Sequence, residues 1–281
     1  MACGVWPRAK GKGEDETMRR FGVLTNLSWR CLRVWQRNFD VYKATWKVNF
    51  IPPLLEPILY LFAFGIGMGG LIHDVIYAQA PVSYLKFLAP GLVAAAVMNH
   101  GFFETTYASF VRMYFQKTFD AILSTPLMLE DVIFGELLWG ATKAFMASVI
   151  MFLVVAALGL ISMPSGLWIL PLAFLAGMAF SGLGMCFTAV VKNIEMFNFP
   201  VFLFITPMFL LSGVFFPLDT LPAWAQRSAF VFPLTYLVSA SRALAFGRPH
   251  PGLAGDVLVL ALIAGASCYG SILLMKKRLE K

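Results

Sequence analysis

Three ionisable residues, Glu56, Glu104 and Lys143, stand inside stretches that are otherwise apolar. A single charge in hydrocarbon costs about 1–3 kcal/mol even close to the membrane edge, so such residues pair, reach for water, or serve a function. Their chemistry is that of ion pairs and polar headgroups rather than catalysis. Glu104 with Lys143 is the expected pair, and Glu56 completes a polar belt. Two readings of the belt stay open: a place where a polar headgroup is admitted, and a structural pair or side chains that snorkel to water. His100 lies deeper in the same run as Glu104 and has no evident partner in the sequence; a hydrogen bond to a neighbouring helix is expected, with a proton relay as the alternative.

The elements that must carry these residues follow from composition. Of 281 residues, 59% are hydrophobic and 13% charged, with mean hydropathy +0.75. That charged fraction is about half of what soluble domains carry, so lipid is the solvent for most of this chain. Six runs are long enough to span, at 51–71, 87–108, 136–160, 167–190, 196–216 and 255–275. An even number puts both termini on one side. Residues 1–50 hold ten Lys/Arg against four acids, and the tail after 275 adds four bases. The cytoplasmic side is therefore expected to hold both ends. With these limits Glu56, Glu104 and Lys143 sit roughly 6–11 Å from one face at about 1.5 Å per residue. The net charge of +7 reads as topology, and nucleic acid is not an expected partner.

Ahead of the first run, apolar positions Leu24, Leu27, Cys31, Trp35, Phe39, Tyr42 and Trp46 recur every three or four residues, with Arg30, Arg33 and Arg37 on another face. An amphipathic helix is predicted over 22–50, either lying in the interface with its aromatics down and its guanidiniums toward lipid headgroups, or serving as a soluble docking helix. Residues 1–21 read as a disordered extension, and Met18 is an alternative start. Residues 1–17 lack the apolar core and cleavage site expected of a signal peptide. Between the fifth and sixth runs, Pro217, Pro222, Pro233 and Pro249 cut an apolar segment; the two pieces after Pro222 have ten and fifteen residues, which suit re-entrant helices on the outer side. Cys3, Cys31, Cys186 and Cys268 have no metal-ligand spacing.

The stretch FDAILSTPLMLEDVIFGE (119–136) interrupts the apolar runs on the cytoplasmic side. A short helix is expected from Phe119 to Leu123. Thr125 is expected to cap the next helix, with Pro126 at its first position and Glu130 early in it. The resulting knob offers Phe119, Ile122, Leu123 and Leu127 either as a docking surface or as a turn folded under the bundle.

These features resemble the ABC-2 type exporter membrane subunits. The stretch at 119–136 looks like their cytoplasmic coupling helix. NFIPPLLEPILYLFAFGIGMGG (49–70) and FLAPGLVAAAVMNHGFFETTYASFVRM (87–113) resemble the first two spans of the nodulation-protein-J branch, and LLSGVFFPLDTLPAWAQ (210–226) resembles the outer signature of ABC-2 permeases. The resemblance implies an all-α polytopic membrane protein that works as a homodimer in the bacterial cytoplasmic membrane. It implies docking of two copies of an ABC ATPase on residues 22–47 and 119–127. Met128 departs from the pattern, since relatives often place a hydroxyl residue before the acidic pair. The implied cargo is an amphiphile such as a lipo-oligosaccharide, with hydrophobic drugs or natural products as the alternative. ATP and Mg2+ belong to the partner, because no GxxxxGK followed by Ser or Thr occurs in this chain. An intramembrane enzyme is the distant alternative; HExxH and GxSxG are both missing. No catalytic residue and no metal ligand is assigned.

Overall fold

The computed structural model describes residues 27–67, 74–77, 80–248 and 251–279. The predicted extension over 1–21 and the first positions of the amphipathic helix, Leu24 included, lie outside them. Helix α1 runs Cys31–Ala44, and α2 runs Trp46–Gly67. The break falls at Thr45, so Trp46 belongs to α2 and not to the amphipathic helix. Strands β1 (Asp74–Tyr77) and β2 (Ala80–Ser83) pair antiparallel, a small hairpin that corrects the all-α expectation for this loop. Helix α3 (Tyr84–Phe103) continues through a wide turn, Glu104–Ala108, into α4 (Ser109–Tyr114). Then come α5 (Thr118–Leu123), α6 (Leu129–Ala157) and α7 (Ile169–Val190). Helix α8 (Ile194–Leu211) contains a second wide turn at Val201–Ile205. Helices α9 (Ala223–Ala229) and α10 (Pro233–Ala245) meet at 88°, and α11 (Leu253–Leu279) closes the bundle.

Five helices among the described residues are long and apolar enough to cross a membrane: α2, α6, α7 with the turn before it, α8 and α11. The bent pair α9–α10 would bring the number to six if it is one span. The predicted run 87–108 falls instead on α3. That helix carries Lys86, Asn99 and His100, and most of its surface is buried against other helices, so it depends less on lipid. Phe87, Leu88, Val97, Met98 and Phe102 are completely or almost completely buried along it.

At the centre α7 packs on α3, α6, α10 and α11. Small residues make this possible. A Cβ at Gly182 would collide with Ser267 Oγ of α11, and one at Gly184 with Thr105 Oγ1 of the wide turn. Without a solvent-driven hydrophobic effect, such close backbone approach is what supplies packing energy in lipid. Gly67, by contrast, faces open space and closes no helix pair among the described residues.

One end of the bundle gathers the charges. Glu130, in the first turn of α6, meets Lys276, in the last turn of α11, at 2.7 Å. Each charge also opposes its own helix dipole favourably. Arg278 donates to the Thr188 carbonyl of α7, and through Nη2 to the Tyr114 hydroxyl at 2.9 Å. The backbone N–H of Ser28, just ahead of α1, donates to Asp131 Oδ1 at 2.7 Å. The described parts of both chain ends therefore lie at the same end of the bundle.

Candidate functional site

Arg112 organises this charged end. Its Nη1 donates to Glu104 Oε1 at 2.8 Å, and its Nη2 and Nε donate to Glu136 Oε2 at 2.6 and 3.0 Å. Lys143 Nζ meets Glu104 Oε2 at 2.8 Å, and Trp139 Nε1 donates to Glu104 Oε1 at 2.9 Å. Ser109 Oγ donates to Glu136 Oε2 at 2.6 Å, and Asn38 Nδ2 of α1 donates to Glu136 Oε1 at 2.8 Å. Two buried carboxylates thus face two cations, with every carboxylate oxygen engaged. Such a network is stable only because it is both neutral and fully hydrogen-bonded. Burial works against the Arg112 charge, but Glu136 and Glu104 outweigh it and hold the guanidinium pKa above its ordinary value.

The wide turn at Glu104–Ala108 sets the alignment. In a regular α-helix eight residues overshoot two turns by about 80°. A π-type turn takes up roughly one extra residue, which brings Arg112 back over Glu104.

The network forms one wall of a cleft of about 510 Å³ between α1, α3–α4 and α6, lined also by Arg37, Tyr42, His100 and Tyr107. Arg37 adds a third cation at its edge, donating to Asn38 Oδ1 at 3.0 Å and Thr118 Oγ1 at 3.4 Å. Burial lowers its pKa, and Glu136 opposes that shift.

The sequence expectations fare differently here. Glu104 and Lys143 come together. Glu56 does not join them: its Oε2 lies 3.8 Å from His100 Nε2, across the α2–α3 contact. His100 therefore has a carboxylate neighbour that sequence spacing did not reveal. The expected hydrogen bond to a neighbouring helix is not made by Nε2, which is buried without a hydrogen-bond partner. Arg112, Glu136, Asn38, Ser109 and Trp139 were missed. One signal could have found Glu136, which lies seven positions before Lys143 on one helix face; regular helix spacing offers none for Arg112.

The amphipathic helix also departs from expectation. Its buried face, Cys31, Val34 and Asn38, rests on α6, where Gly135 leaves room: a Cβ there would lie 2.6 Å from Val34 Cβ. Trp35 Nε1 donates to Thr142 Oγ1 of α6 at 2.9 Å, and Tyr42 meets the Trp139 ring edge-on at 5.7 Å. Of the three arginines expected at headgroups, Arg37 turns inward and Arg30 Nη1 donates to the Pro126 carbonyl at 2.7 Å. Arg33 stays exposed, donating to Gln36 Oε1 at 3.2 Å.

The segment 119–136 is only partly a knob. Phe119 is 1% exposed, buried with Phe110, Met113 and Ile133, and so is unavailable for docking. Glu130 is likewise buried, in its ion pair with Lys276. Thr125 caps no helix; its hydroxyl donates to the Ile122 carbonyl at 2.6 Å. Helix α6 starts at Leu129 rather than at Pro126, with Met128 extended before it. The exposed tip consists of Leu123, Ser124, Thr125, Pro126 and Met128, flanked by half-buried Ile122 and Leu127. Lys117, in a left-handed conformation at φ 51°, makes the sharp corner into α5.

Comparison with known proteins places this sequence in a wider set. Residues 30–246 match the family model described as ABC-2 type transporter. The chain is 36% identical over 261 residues to Nodulation protein J of Sinorhizobium fredii (strain NBRC 101917 / NGR234), covering 93% of this chain and 98% of that one. It is 38% identical to Nodulation protein J of Rhizobium leguminosarum bv. trifolii, covering 90% and 95%. It is 24% identical to the inner membrane transport permease YadH of Escherichia coli (strain K12), covering 78% and 84%.

Proposed function

This chain belongs to the ABC-2 type transporter family, and from that premise we propose that it is the membrane-spanning permease subunit of an ATP-driven exporter. A separate ABC ATPase supplies ATP hydrolysis with its own Mg2+, and two copies of it serve two copies of this chain. The subunit lies in the bacterial inner membrane with both termini cytoplasmic. The cargo is an amphiphile of the lipo-oligosaccharide type. The exposed apolar residues Leu55, Leu59 and Phe62 of α2, and Phe199, Phe202 and Leu203 of α8, support a second-copy interface. The two helices are neighbours, since Phe64 and Phe209 both touch Phe215.

One observation carries the ATPase reading. The exposed tip at 123–128 is held rigidly from two sides: Arg30 of α1 binds its backbone at Pro126, and the α6 turn that follows is anchored through Glu130 and Asp131. A push on this tip, or on α1, travels through Asn38 and Glu136 to Arg112, and so to α3. An apolar tip on a stiff mount suits docking by a soluble partner. The cleft beside Arg112 and Lys143 suits the polar head of the cargo on the same side.

Purification from native membranes in mild detergent, scored for a co-purifying ATPase, tests the reading. The parent chain is expected to bring one down and Ile122→Asp to lose it. A parent chain without an ATPase, and without ATP-driven uptake into inverted vesicles when the candidate partner is added, overturns it.

A further inference from the structure

At the far end of α3 from Glu104 lies a second buried cation. Arg242 of α10 is 4% exposed, and its guanidinium stacks over the Phe87 ring at 3.7 Å. Phe87 and Glu104 are seventeen positions apart, so the two charged sites stand roughly 25 Å from each other along the helix at about 1.5 Å per residue. Arg242 Nε donates to the Phe87 carbonyl at 3.2 Å, and Nη2 donates to the carbonyls of Gly213 and Val214 at 2.5 and 2.9 Å. Those carbonyls lie where the chain turns away from α8. Nη1 donates to nothing among the described residues, and no carboxylate there comes within ion-pair distance of Arg242. Among the described residues, carbonyl dipoles and a ring face leave its positive charge without an anion, in contrast to Arg112.

Beside it is a cavity of about 280 Å³, lined by Tyr77, Phe87, Ser212, Asp219, Ser239 and Arg242 among others. Ser212 is 1% exposed, and its hydroxyl has no hydrogen-bond partner. Ser212, with its idle buried hydroxyl, and Arg242 both border this cavity, and a hydroxyl and a guanidinium are the donors that an oxyanion takes. A buried polar group left unmatched costs stability until something matches it. Asp219 is exposed and screened by solvent, so it weakens the positive field of the cavity without cancelling it.

We infer that this cavity binds a phosphate group, with Arg242 and Ser212 as its donors. The phosphate can come from a lipid headgroup or from free phosphate. This inference does not depend on the exporter reading; a chain that docks no ATPase would still bind at this cavity.

The test uses the full-length purified chain and native mass spectrometry in detergent. The probes are phosphatidylglycerol, a neutral diglucosyl diacylglycerol, and inorganic phosphate. One phosphatidylglycerol per chain is expected to be retained in preference to the neutral glycolipid. Ser212→Ala removes a hydroxyl that bonds to nothing in the protein, so it leaves the fold intact. It is expected to weaken retention about tenfold, the scale of one hydrogen bond to a charged group. Asp219→Asn is expected to strengthen retention. Displacement of the lipid by millimolar phosphate would assign recognition to the oxyanion alone, and resistance to it would assign a share to the acyl chains; both support the site. Equal retention of the two lipids, or unchanged retention in Ser212→Ala, overturns it. Arg242→Gln removes more of the site, but it also frees three carbonyls, so Ser212→Ala is the decisive variant.

Discussion

Arg112 and Glu136 meet at 2.6 Å in a site where the carboxylate has no exposure at all. Because Arg112 also neutralises Glu104 at 2.8 Å, removing it strands buried Glu136 without its ion-pair partner and leaves Glu104 to Lys143 alone. Arg112→Met is therefore expected to destabilise the protein by about 3–5 kcal/mol, the range for breaking a buried pair from one side. Thermal unfolding in detergent reads the loss. A Tm within one degree of the parent would show that the network is not sealed from water.

Lys143 and Glu104 form the outer half of the same network, with Lys143 more exposed. A double-mutant cycle with Glu104→Gln and Lys143→Met is expected to give a coupling of about 0.5–3 kcal/mol, because contacting residues do not add independently. Additive single effects would mean that Arg112 alone neutralises Glu104. Transport unchanged in Glu104→Gln would leave the network a purely structural role.

Within the segment 119–136 two neighbouring apolar residues separate structure from docking. Phe119 is buried, so Phe119→Ala is expected to cost about 3–5 kcal/mol of stability through the cavity it leaves. Leu123 is 37% exposed, so Leu123→Asp is expected to leave the Tm unchanged while abolishing ATPase co-purification. If both substitutions lower the Tm equally, the tip is a turn folded under the bundle.

Much of this was legible in the sequence. Apolar runs of twenty residues located the long helices, because in lipid a helix must satisfy its own backbone and length is set by membrane thickness. Proline punctuation marked the bend between α9 and α10. Side-chain direction around the charged site was less legible. Arg112 looked like a cation beyond the end of a span, and only the wide turn at Glu104–Ala108 turns it back over Glu104. Phe119 looked exposed because its short helix lies between two long apolar runs in a stretch of mixed charge, yet the bundle buries it. The periodicity of α1 gave an apolar stripe but not its neighbour, since protein and lipid accept the same stripe. Gly135 on α6 was the clue that a helix, not lipid, lies there.

The same glycine makes the seating of α1 measurable. A Cβ at 135 would lie 2.6 Å from Val34 Cβ and 2.8 Å from the Cys31 carbonyl, so Gly135→Ala must lift α1 from α6. Overpacking of this kind costs about 1–3 kcal/mol. Cys31 reports the movement. Burial, and then the Asp131 charge, raise its thiol pKa, so the folded protein holds less thiolate than an exposed cysteine at the same pH. The raised pKa favours the folded state by an amount that is constant below the unfolded thiol pKa. That amount shrinks as pH climbs from the unfolded value, because only the unfolded chain then releases the proton. Near pH 8 the parent Cys31 is expected to react slowly with maleimide, and Gly135→Ala to speed the reaction at least tenfold with the bundle still folded. Cys186 and Cys268, away from α1, are expected to react at unchanged rates. Equal rates at Cys31 in the two proteins would mean that α1 does not need this contact to stay seated, and the mechanical link from α1 through Asn38 to Glu136 would lose its footing.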